Sequence, residues 1–174
     1  MALDDDIATL SRAPLFSLME RDALRLMAFA AEHKNLRANA VLFRKGDRSD
    51  GGFVVSRGSV ALDADDGRHA VMAGAGALIG QTALFIRHER PANAVAREPT
   101  ALIRISPTLM RRVLEEFPAT AAAIQQALTL DLSALTAGLE RVRDRLLSIE
   151  PAPGARDGAR PPMLSPASSG WDRL

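Results

Sequence analysis

The sequence predicts a mainly β domain with flanking helices, an antiparallel β jelly roll (double-stranded β-helix) or closely related barrel, followed by a long C-terminal helix. Three observations carry this. Short apolar runs separated by glycine and charged turns recur from Asn39 to Ile105. Their spacing leaves no room for repeated crossover helices, which argues against a doubly wound parallel sheet. After Pro118 the pattern changes to a sustained heptad repeat.

The N-terminal residues 1–13 carry consecutive aspartates, Asp4 to Asp6, without the basic and apolar regions of a signal peptide, and read as a charged tail. Pro14, Leu15 and Phe16 form an apolar turn that should pack on the domain. Ser17 and Glu20 have capping-box spacing. Leu24, Met27, Ala28 and Ala31 follow at helical intervals, so a helix is expected over Leu18–Glu32.

The expected strands are Val41–Phe43, Phe53–Val55, Val60–Leu62, Ala70–Met72, Ala77–Ile79, Asn93–Ala96 and Ala101–Ile105. The segment Asp63–Gly67, with Asp66-Gly67 at its tip, reads as a hairpin turn. Ser106-Pro107 should start a helix, since proline suits the first turn. Leu109, Met110, Val113 and Leu114 would be its core face, and Pro118 should interrupt it.

From Pro118 one helix is expected to run to about residue 150. Leu128, Leu132, Leu135, Leu139, Val142, Leu146 and Ile149 advance in alternating steps of four and three, an a/d stripe suited to self-pairing in a homodimer. Packing of the stripe on its own domain is the alternative. Residues 151–174, rich in proline, glycine and serine, cannot bury enough surface to offset ordering entropy and are expected to be disordered. The expected organisation is thus 1–13 tail, 14–117 β domain, 118–150 dimerisation helix and 151–174 tail.

Composition narrows the chemistry. The 174 residues include 22 basic and 21 acidic side chains and no cysteine, so disulfides and thiolate-ligated metals are excluded. The net charge of +1 supplies no global field for nucleic acid. His33, His69 and His88 lack ligand spacing, and no serine sits in a nucleophile elbow. No catalytic or metal-binding residue is therefore assigned. No stretch approaches the roughly 20 apolar residues of a membrane span, and the expected location is cytoplasmic.

Several motifs are ordered along the chain: Pro14-Leu15-Phe16, Leu42-Phe43-Arg44-Lys45-Gly46-Asp47, Phe53-Val54-Val55-Ser56-Arg57-Gly58-Ser59-Val60, and Gly76 through Phe85. From about Leu15 to Leu146 this series resembles the cyclic nucleotide-binding domain of the catabolite-activator and kinase-regulatory-subunit superfamily. The stretch Gly76 to Phe85 resembles that family's phosphate-binding cassette. The resemblance implies a pocket in which Gly80, Gln81, Thr82, Ala83 and Leu84 bring backbone N–H groups to a phosphate. It also implies a cyclic nucleotide, cAMP or cGMP, as ligand, with no further cofactor required.

Two positions depart from the family pattern. A glutamate that accepts from the ribose is replaced by Gln81, which can accept only without charge assistance. Family spacing puts the phosphate-binding arginine at Pro91, which has no side-chain donor and no N–H. Arg90 stands one residue earlier and would reach the phosphate if the loop shifts by one residue, against the rule that adjacent residues of an extended segment face opposite ways; Arg87 and His88 of the same loop are weaker substitutes. Ala92 replaces a small hydroxyl residue, and Asn93 stands where a small apolar residue is common. Losing the arginine would weaken phosphate binding by about 10–100-fold.

In the bacterial branch of the family the long helix leads into a winged helix-turn-helix. The proline-rich residues 151–174 cannot supply one, so direct DNA binding is not expected. Two functions stay open. One is a non-catalytic dimeric sensor that acts on a protein partner. The other is a ligand-independent adaptor with a degenerate pocket. An atypical transcription regulator is a more distant alternative.

Overall fold

The computed structural model describes residues 2–64 and 70–130. Eight strands form two four-stranded antiparallel sheets, flanked by helices, as expected for a jelly roll. The strands are β1 Glu32–Leu36, β2 Val41–Phe43, β3 Gly52–Arg57, β4 Val60–Asp63, β5 Val71–Ala73, β6 Leu78–Ile79, β7 Asn93–Ala96 and β8 Thr100–Ile105. The first sheet has the order β1-β8-β3-β6 and the second β2-β7-β4-β5.

The first sheet separates two cores. Strand side chains alternate between faces, so Val54, Ile103 and Ile105 enter a core shared with the helices, among Leu10, Phe16, Met27, Met110 and Val113. Phe53, Val55, Leu102 and Ile79 point the other way and meet Leu42, Val60, Ala73 and Ala94 of the second sheet. This explains why Phe53-Val54-Val55 is a continuous apolar run: β3 is buried on both faces. At the start of β3, Gly51 has φ +141°, and an added Cβ would overlap the Ile105 carbonyl oxygen.

Three expectations at the N-terminal end are corrected. Residues 1–13 are not simply a tail, because helix α1 spans Ala2–Leu10 and Leu10 and Ala13 are fully buried. The acidic run favours this helix, since Asp4 and Asp5 fall in the first turn, where the helix dipole stabilises negative charge. Helix α2 is Arg21–Ala30, shorter at both ends than expected. Ser17 does not cap it. Its hydroxyl donates to the Pro14 carbonyl (2.7 Å) within a 3₁₀ turn at Phe16–Leu18, and the N-cap residue is Glu20. The third correction is β1, an unexpected strand that begins at Glu32, where the helix was expected to end. Its side chains are exposed or half-buried and lack alternation, and its pairing with β8 defines it.

The turn Pro14–Phe16 packs as expected, with Leu15 and Phe16 buried. Helix α3, Pro107–Glu116, starts as expected, with the Ser106 hydroxyl accepting from the Leu109 N–H (3.1 Å). Leu109, Met110 and Val113 are buried and Leu114 packs against them. A further helix, α4, begins at Pro118 and is described to residue 130. Thr120 and Ile124 bury it against the domain, and Leu128 packs on the helix-side core. Leu132, Leu135, Leu139, Val142, Leu146 and Ile149 lie outside the described residues, as do the hairpin tip 65–69 and residues 151–174. No described helix is long and apolar enough to cross a membrane.

Candidate functional site

The cassette begins where β6 ends. Gly80 takes a left-handed conformation, φ +75°, and turns the chain into a 3₁₀ helix at Gln81–Leu84. Ala83 and Leu84 are buried and anchor the turn, with Leu84 in the helix-side core. Gln81 is half-buried and Thr82 is exposed. Glycine is required at position 80 for a second reason. A Cβ there would lie 2.5 Å from Nη1 of Arg90.

Arg90 is the centre of the site. Its side chain is 2% exposed, while Pro91 is exposed, Ala92 half-buried and Asn93 exposed. The loop 88–90 is zipped to the segment 46–49. Gly46 donates to the Arg90 carbonyl (2.9 Å), Arg90 to the Asp47 carbonyl (2.8 Å), and Ser49 to the His88 carbonyl (2.9 Å). Arg48 and Glu89 form an isolated bridge. This pairing sets the alternation so that Arg90 points inward and Pro91 outward. The family spacing that placed the inward position at Pro91 is off by one residue in this loop.

The guanidinium lies between aromatic rings and a carboxylate. Its Cζ is 4.2 Å from the centroid of Phe43 and 5.6 Å from that of Phe53. Nη2 donates to the Gly51 carbonyl (2.7 Å) and to Asp50 Oδ1 (3.0 Å). Nε and Nη1 are buried with no hydrogen-bond partner among the described residues. Desolvation lowers the pKa of Arg90, opposed by the hydrogen bond to Asp50. The group nevertheless remains a cation, because arginine is not deprotonated in proteins.

Asp50 also binds Arg104. Nη2 of Arg104 is 3.0 Å from Asp50 Oδ2, and Nη1 donates to Glu32 Oε2 (2.7 Å). Burial pulls the Arg104 pKa down, but the bonds and charges of Glu32 and Asp50 outweigh it and raise the pKa overall. One exposed carboxylate thus ties together two arginines, and the buried one retains free donors. Such donors, inside a protein and beside a backbone turn shaped by glycine, match an anion.

The structure brings Gly80 and Arg90 together. It keeps Pro91 out of the site, and it uses Asn93 in β7, where its Oδ1 accepts from the Lys45 N–H (2.9 Å). The sequence reading missed Asp50, Arg104, Phe43 and Phe53 as members of the cluster. They come from three other strands and a loop; Phe43 and Phe53 stand in motifs of the resemblance, but nothing local marks any of the four as a neighbour of Arg90. Of the histidines, His33 Nε2 lies 2.9 Å from Asp6 Oδ2, and His88 Nδ1 lies 3.0 Å from the Ile86 carbonyl.

Comparison with known proteins agrees with this architecture. Residues 33–117 match the family model of the cyclic nucleotide-binding domain. A cyclic nucleotide-binding-like protein from Brucella abortus is 38% identical, with 64% of this chain and 99% of that one covered and a TM-score of 0.57. The N-terminal domain of a transcriptional regulator from Streptomyces coelicolor shares the fold at 24% identity, covering 73% and 94% of the two chains, TM-score 0.67. The regulatory domain of Toxoplasma gondii PKA, crystallised with cAMP, shares it at 21% identity over 64% and 44%, TM-score 0.58. Lysophospholipase nte1 from Aspergillus terreus is 30% identical over 83% of this chain, but the match spans only 9% of that enzyme. With the jelly roll, the cassette turn and a buried arginine beside it in place, the chain belongs to the cyclic nucleotide-binding domain family.

Proposed function

We propose that this protein is a non-catalytic regulatory sensor that binds a cyclic nucleotide through its cassette, with Arg90 holding the cyclic phosphate. The observation that carries this reading is the buried Arg90 guanidinium, whose Nε and Nη1 have no partner among the described residues and which lies against Gly80. A phosphate oxygen would satisfy both the charge and the donors. The heptads from Leu128 to Ile149 would pair two copies into a homodimer, and a protein partner would read the change in helix arrangement.

Calorimetric titration with cAMP and with cGMP tests this. Saturable binding is expected for at least one of them, weakened about 10–100-fold by Arg90→Ala, the loss of charge-assisted bonds worth about 1.5–3 kcal/mol. Arg90→Lys, which keeps the charge but not the fork, should fall between. Absence of heat and of thermal shift with both nucleotides at about 1 mM, a concentration that reveals even weak sites, overturns the reading.

A second reading has its own support. Asp50, the Gly51 carbonyl and Phe43 already hold Arg90, and Gln81 is neutral. In that case the domain is a ligand-independent adaptor, and the same titration with no binding selects it.

A further inference from the structure

The cassette is not the only place where arginines converge. A groove of about 570 Å³ opens where the segment 48–50 and the loop 87–89 meet the start of α3. Arg48 and Arg87 line it with exposed side chains that make no hydrogen bond or ion pair among the described residues. Arg104 lies in its wall, a partly exposed guanidinium held by Glu32 and Asp50. Ser49 and Thr108 contribute hydroxyls; at the start of α3 Pro107 has no N–H and the Leu109 N–H is taken by the Ser106 hydroxyl, so the first turn offers the Thr108 N–H.

Opposing charge is limited. Asp50 is already shared between Arg90 and Arg104, and Glu32 is bound to Arg104. Glu89 is the remaining carboxylate of the lining. The guanidinium groups of Arg48 and Arg87, without an ion pair among the described residues, therefore share the groove with the carboxylate of Glu89. Each guanidinium can bind an oxyanion through a bidentate, charge-assisted fork, and two on one groove suit a multiply charged one.

We infer that this groove is a second binding site, separate from the cassette, for a small multiply charged oxyanion. Phosphate esters and polycarboxylates share this chemistry. The groove and the cassette have a common wall in the zipped segments 46–49 and 88–90, but the groove is reached from the α3 side and does not require a nucleotide.

The test is amide NMR of the full chain titrated with inorganic pyrophosphate and, separately, with citrate. Saturable shifts are expected at residues 48–50, 87–89 and 107–109, in the presence of saturating cAMP as in its absence. The two titrations tell a phosphate preference from a carboxylate one. The double variant Arg48→Ala, Arg87→Ala changes only exposed side chains and should melt like the wild type, while its affinity falls at least about tenfold. The inference is overturned if neither anion gives saturable shifts by about 10 mM, the weak end of specific binding. It is equally overturned if the shifts centre on Gly80–Leu84 and vanish with cAMP, or if the double variant binds as tightly as the wild type. Failure of cAMP to bind leaves the anion titration readable, so the two proposals fail separately.

Discussion

Arg90 shows how one side chain can oppose stability and serve a site. Taking a guanidinium out of water is costly unless its donors are matched, and here Asp50 and Gly51 match only Nη2. Replacing a buried, imperfectly paired ion with an apolar side chain of similar length is often neutral or stabilising by about 1–4 kcal/mol. The partner left behind, Asp50, is 59% exposed, so water can take over its solvation. Arg90→Met should therefore melt at or above the wild-type temperature while losing cyclic nucleotide binding. Thermal unfolding and calorimetry on the same sample check this. A variant that loses several degrees would show that Arg90 is retained for the fold rather than for a ligand.

At the scale of elements, two serines with similar local sequence signals behave differently. Ser106 precedes proline and caps α3 through the Leu109 N–H. Ser17 has the spacing of a capping box, yet its hydroxyl turns back to Pro14, and the N–H of Glu20 faces Thr120 of α4 at 3.4 Å. Ser106→Ala should cost about 1 kcal/mol, the usual worth of an N-cap. Ser17→Ala should cost less than about 0.5 kcal/mol, as for an exposed change away from special features. Urea unfolding compares the two. The same contrast explains what was legible. Strands whose inward side chains are apolar, such as β7 at Asn93–Ala96 and β2 at Val41–Phe43, matched the expected bounds. β1 did not, because its residues Glu32 to Asn35 are all exposed and its identity rests on pairing with a strand some 70 residues away. The cassette glycines were legible because backbone conformation demands them locally. The inward turn of Arg90 was legible only as one of two alternatives, because the choice depends on zipping to residues 46–49.

The described domain is organised by the first sheet, whose central strands β3 and β8 separate the helix-side core from the jelly-roll interior. Leu102 and Ile103 are consecutive residues of β8 that enter different cores. Phe53 lies on the interior side, below Arg90, with its ring 6.2 Å from that of Phe43. Strand spacing foretold an antiparallel barrel or jelly roll, and the family resemblance the jelly roll, but neither foretold that one sheet would carry both cores, since that follows from long-range pairing. If the nucleotide site belongs to the interior, stability and binding should separate along this sheet. Ile103→Ala should destabilise by about 2–5 kcal/mol through a cavity on the helix side. Its dissociation constant should stay as in the wild type, so saturating ligand should stabilise both proteins by the same free energy, which depends only on ligand concentration relative to that constant. Phe53→Leu should act in the other sense. It removes a ring beneath the guanidinium, so the stabilisation by ligand should shrink even where the loss of intrinsic stability is smaller. Urea unfolding with and without nucleotide measures both quantities for each variant. An equal loss of ligand stabilisation in Ile103→Ala and Phe53→Leu would mean that the two faces of the sheet are not energetically separate.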